Sequence, residues 1–98
     1  MIEYLKEYNI TIEQWDLIEN NLSEDLILNL KIMEDNVCEV LSLFKELGIK
    51  NLANIIIYRP DLCFKTKKDL QEKINKIDIE LLKYIINHNI DDLNIFNI

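Results

Sequence analysis

From Val37 onward the apolar residues Val37, Val40, Leu41, Phe44 and Leu47 recur at every third or fourth position, and Gly48 follows at once. That spacing places all five on one stripe of a helix. Gly48 then stands where a helix reverses into left-handed backbone. It is the only glycine among 98 residues, and Pro60 is the only proline. A chain so short of turn-formers cannot be cut into the many strands of an all-β fold. With 49% apolar residues it is not a disordered chain either. The expected fold is therefore all-α, one domain over residues 1–98.

Helix starts are legible along the whole chain. Thr11 with Gln14 makes a capping box ahead of Ile12, Trp15, Ile18 and Leu22. Ser23 caps a helix whose stripe is Leu26, Ile27, Leu30 and Met33, with Glu24 and Asp25 at its positive end. Asp35 or Asn36 opens the helix that Gly48 closes. Asn51 begins a shorter one through Ile55, Ile56 and Ile57, which must stop near Tyr58 or Arg59 because Pro60 disfavours helix in its predecessor. Pro60 to Phe64 reads as one tight 3₁₀ turn tucking Leu62 and Phe64 inward. Thr66 opens a helix with Leu70, Ile74 and Ile77. Asp78 opens another with Leu81, Leu82, Ile85 and Ile86, ending at Asn89, and a last short helix runs from Asp91 or Asp92 through Ile95 and Phe96. The sum is about seven short helices. Ile and Asn, both heavily used, are mediocre helix formers, so packing has to hold these helices together as stacked pairs or a compact bundle.

A motif also recurs. Tyr4–Ile10 (YLKEYNI), Leu43–Ile49 (LFKELGI) and Tyr84–Ile90 (YIINHNI) align at offsets of 39 and 41. Each has Asn or Gly at the sixth place and Ile at the seventh, which predicts a left-handed reversal followed by an anchoring Ile. Offsets near 40 suit helical solenoids, with units about 1–36, 37–77 and 78–98. The middle unit goes further. A helix ending in Leu47-Gly48-Ile49, a second helix with Ile56, then Pro60 and Leu62, then a helix with Leu70 and Ile74 resembles the repeat of the mitochondrial transcription termination factor (mTERF) family over residues 37–76. The resemblance implies two helices and a short 3₁₀ turn per unit, the Pro starting the turn and leucines filling the triangle. It also implies double-stranded nucleic-acid binding along a basic inner face, here Arg59, Lys65, Lys67, Lys68, Lys73 and Lys76.

Charge bears on partners. The net charge is −7. Residues 1–58 hold eleven acids and four bases, residues 59–76 six bases and three acids, and residues 77–98 four acids and one base. An acidic protein is repelled by phosphate backbones except at its one basic segment. A protein partner with a basic face is the expected one, through complementary fields. Small acidic proteins such as immunity proteins, antitoxins and anti-CRISPR-type inhibitors share this size and charge. Trp15 reads as core; left exposed, it would be a partner anchor.

Nothing in the pattern points to catalysis. His88 is the only histidine and sits at a helix end, where a cation suits the dipole. Ser23 is a cap and Ser42 lies on a helix face. The pairs Glu24-Asp25, Glu34-Asp35 and Asp91-Asp92 sit at helix starts, and neighbouring acids on a helix diverge, so they make no metal pair. The expectation is a non-enzymatic protein without cofactor or metal. Cys38 and Cys63, with no CxxC or flanking His, read as small buried apolar residues. No basic leader begins the chain and no apolar run approaches the roughly 18 residues of a membrane span, which fits a soluble cytoplasmic protein. Alternatively the chain is a piece of a longer repeat array, Ile95, Phe96 and Ile98 being its cut interface.

Overall fold

The computed structural model describes residues 1–98. Six α-helices are present, α1 (Ile12–Asn21), α2 (Glu24–Ile32), α3 (Glu34–Glu46), α4 (Leu52–Tyr58), α5 (Lys67–Ile74) and α6 (Ile79–His88). Three 3₁₀ segments accompany them, η1 (Glu3–Tyr8), η2 (Pro60–Phe64) and η3 (Ile90–Phe96). There is no strand, and no helix is long and apolar enough to cross a membrane.

The starts of four helices follow from their caps. Thr11 Oγ1 accepts from the Gln14 amide while Gln14 Oε1 accepts from the Thr11 amide, a complete capping box. Ser23, Thr66 and Asp78 each accept one amide of the first turn of α2, α5 and α6. α3 starts differently from expectation. Met33 ends α2 and begins α3 in a single residue (φ −95°, ψ 33°), with no side-chain cap. The Asn36 side chain, not needed as a cap, donates instead to the carbonyls of Cys63 (3.0 Å) and Lys65 (2.9 Å), stitching α3 to the end of η2. Asn51 likewise precedes α4 without a side-chain cap bond.

α3 and α4 are the centre of the molecule. α3 packs on η1, α2, α4, η2 and α5, and α4 packs on α1, η2, α6 and η3. α3, α4 and η2 close a triangle, with Leu62 and Cys63 of η2 fully buried inside it. The order α–α–3₁₀ occurs twice, as α3–α4–η2 and as α5–α6–η3, whereas the first elements run η1–α1–α2. One apolar core threads all the elements, and no polar or charged residue is buried in it. A radius of gyration of 12.7 Å is that of one close-packed body of this length.

The repeated motif is corrected in its third copy. At Asn9 (φ 61°) and Gly48 (φ 90°) the backbone is left-handed as expected. The following residue then bonds back five positions, Ile10 to the Leu5 carbonyl and Ile49 to the Phe44 carbonyl. This is the Schellman arrangement, and the Ile packs where that bond points. Asn89 instead has φ −157° and ψ 79°, its amide continuing the α6 ladder to Ile85 and its carbonyl opening η3 by accepting from Asp92. The third reversal lies at Asn97 (φ 61°), where Ile98 bonds back to Leu93 at 3.1 Å. Ile10, Ile49 and Ile98 are all buried.

Candidate partner-binding surface

Two serines, the histidine and the two cysteines each have a contact or a degree of burial within the chain. Ser42 shares a hydrogen bond with the Tyr8 hydroxyl at 2.9 Å, and Ser23 is the cap of α2. His88 stacks on Tyr84, ring centroids 4.3 Å apart. Burial raises the thiol of Cys38 and pushes that of Cys63 up to about 12, so both stay protonated and weakly nucleophilic at neutral pH. No three His, Cys, Asp or Glu side chains converge as metal ligands would.

The basic segment divides in two. Arg59 forms a two-point ion pair with Asp61 at 3.0 Å for each contact, and its Nη2 also donates to the Ile98 backbone oxygen at 2.8 Å. Its side chain is only 11% exposed. The guanidinium beside Asp61 holds that carboxyl below the usual carboxylate range. Arg59 is thus a tie between the end of α4 and Ile98, rather than a free contact. Lys65 lies 4.0 Å from the same Asp61. By contrast Lys67, Lys68, Lys73 and Lys76 make no ion pair within the chain. Lys67 and Lys68 occupy the first turn of α5, the positive end of its dipole, where lysine is unfavourable for the helix itself. Trp15 is buried in the core, so it offers nothing to a partner.

The surface that sequence reasoning missed is on α2. Of its apolar residues only Leu30 is fully buried; Leu26, Ile27 and Met33 are half-buried. Leu28 and Ile32, one turn apart on the same face, are 52% and 69% exposed. The reason is in the order EDLILNLKI, which puts apolar groups on more faces than a helix packed mainly on α3 can hide. Leu28 and Ile32 each line a hollow. One is an open groove of about 460 Å³ lined by Glu19, Leu22, Glu24, Ile27, Leu28 and Lys31. The other, at the α2–α3 bend, is lined by Lys31 to Asn36 and so includes Glu34 and Asp35. Glu13, Asp16, Glu19, Glu24, Asp25, Glu34 and Asp35 are all exposed and none is in an ion pair, against the single base Lys31 between residues 11 and 36. Four of these acids, Glu19, Glu24, Glu34 and Asp35, share a hollow with Leu28 or Ile32. The signal for it was present in the sequence as too many apolar positions on one helix, but the sequence does not say which of them stay outside.

At the other end of the chain, Ile95 is exposed, Phe96 half-buried and Ile98 buried. Searches against protein-family models, curated proteins and solved structures gave no match to this chain.

Proposed function

We propose that this protein is a non-enzymatic binding module that occupies a basic surface on a protein partner through the α2 face. One observation carries this: Leu28 and Ile32 are exposed, each lining a hollow that also holds two acids without an ion partner, with Lys31 as the one base common to both. Apolar anchors supply affinity where water is excluded, and the unpaired carboxylates supply steering and choice of partner. The size and charge are those of inhibitors that cover the basic sites of nucleic-acid enzymes, and the cytoplasm suits two free thiols. The test is affinity capture from the native host with the wild-type chain, Leu28→Asp and Glu24→Lys/Glu34→Lys. A basic protein retained by wild type, released by salt and lost with both variants supports the assignment. Retention unchanged in both variants refutes it.

A second function, nucleic-acid binding of the kind the mTERF resemblance implies, is favoured by one observation. Lys67, Lys68, Lys73 and Lys76 have no ion partner, and two of them sit against the dipole of their own helix. Titration with duplex DNA and RNA at low salt decides it. Binding abolished by Lys67→Glu/Lys68→Glu would establish this function over the first, and absence of binding removes it.

A further inference from the structure

Where α4 and α6 end, the structure forms a second recess that shares no residue with the α2 face. It is lined by Asn54, Tyr58, Ile86, Asn87, His88, Asn89, Ile90 and Asp91 and encloses about 400 Å³. Tyr58 is the last residue of α4 and His88 the last of α6, so two helices bring their carbonyl ends to one cleft. The carbonyls of Ile86, Asn87 and His88 accept no hydrogen bond from any donor in the chain. Helix ends of this kind carry negative partial charge. Asp91, exposed and in no ion pair, adds a full one, with the Arg59 guanidinium near enough to feel its charge.

The remaining lining is suited to a flat cation. Tyr58 is 62% exposed, and so is Tyr84, whose ring supports that of His88 at the cleft. The side chains of Asn54, Asn87 and Asn89 make no hydrogen bond within the chain, which leaves three amide oxygens as acceptors. No lysine or arginine lines the cleft. Arg59, next to Tyr58 in sequence, is already committed to Asp61 and the Ile98 oxygen. Phosphates and carboxylates would meet like charge here. A compact ammonium would use the carboxylate but not the aromatic faces as fully, whereas a guanidinium stacks on an aromatic ring and donates in its own plane.

We propose that this cleft between the ends of α4 and α6 binds a guanidinium group, as presented by an arginine side chain of a protein. The proposal does not depend on the α2 face, and its test reads the two separately. The uniformly ¹⁵N-labelled chain is titrated with Nα-acetyl-arginine amide and, in parallel, with its neutral isostere Nα-acetyl-citrulline amide. Arginine is expected to shift the amides of Asn54, Tyr58 and Asn87 to Asp91, and citrulline to bind about tenfold more weakly. Asp91→Asn is expected to weaken arginine binding about fivefold while amide signals away from the cleft stay in place. Tyr58→Leu is the second variant and weakens it by a similar factor. Equal binding of arginine and citrulline overturns the proposal. So do shifts centred outside these residues, the absence of shifts at tens of millimolar ligand, or a folded Asp91→Asn that binds as wild type does.

Discussion

Gly48→Ala isolates what one left-handed residue contributes to this fold. A Cβ at Gly48 would lie 2.8 Å from Lys83 Nζ and 3.0 Å from its Cε. These atoms are the free end of a half-exposed side chain whose only ion pair, with Glu80, is 3.7 Å long, so the lysine can swing away. The backbone cannot, because the amides of Gly48 and Ile49 are bonded to Lys45 and Phe44. Holding an L-residue at positive φ costs about 1–2 kcal/mol. The loss of freedom in the unfolded chain returns about 0.4–1 kcal/mol. The net loss is therefore about 1 kcal/mol, or a Tm lower by about 4–8 °C in a domain of this size. Urea unfolding followed by circular dichroism measures it, with Lys83→Ala and the double variant completing a cycle. The expected coupling is near zero. Recovery of full stability in the double variant would show that the cost is a clash with Lys83 and not the backbone. Asn97→Gly and Asn89→Gly extend the test: the first relieves a left-handed asparagine and is neutral to stabilising, while the second loosens one at negative φ and destabilises.

Asn36→Ala removes both amide bonds to Cys63 and Lys65 and leaves two carbonyls at the end of η2 without that donor; chemical denaturation should show a loss of about 1–3 kcal/mol. Burial raises the phenols of Tyr4 and Tyr8, so the folded state keeps protons that the unfolded chain releases above pH of about 10. Stability is then full below that pH and falls as pH rises through the folded values. The urea midpoint should decline there, and less so in Tyr4→Phe. Cys63, fully buried with its thiol pushed up to about 12, should react with a thiol reagent only as fast as the native state opens. Modification of both thiols at the rate of a free cysteine contradicts that placement.

Much of the architecture could be read from local chemistry. Thr11, Ser23, Thr66, Asp78, Gly48 and Pro60 each act on their own few residues, and each does what its type dictates. The apolar stripe of α3 is buried from Val37 to Phe44, with Leu47 at its edge. What the sequence hid depends on distant neighbours. Asn36 has the chemistry of a cap but finds better acceptors in η2, 27 and 29 residues on. Asn89 has the residue type for a reversal, yet its backbone is already in use on both sides. Ile12 and Leu81 fall on helical stripes but lie 67% and 42% exposed, since α1 and α6 present narrower faces to the core than their patterns offer. The same limit applied to the surface. Arg59 could not be told from the four unpaired lysines until Asp61 and Ile98 were seen beside it, and Leu28 and Ile32 fell outside the stripe assigned to α2 with no neighbour to say what covers them.

The two 3₁₀ segments η1 and η3 are held by contacts made far along the chain. Runs of this kind are too short and too poorly bonded to persist alone. What fixes η1 is remote: the Tyr4 hydroxyl on the Leu30 carbonyl, the Tyr8 hydroxyl on Ser42, and Lys45 on the Glu7 carbonyl, across 26, 34 and 38 residues. Ile98 is held by Arg59 across 39. Order at either end thus presupposes that α2, α3 and α4 are already in place, since distant closures are the slow ones. The expected order of opening is from the ends inward. Amide exchange at Ile10 and Ile98 should therefore report fraying of the tips while Ile49, closed by the same backbone device, exchanges only with global unfolding.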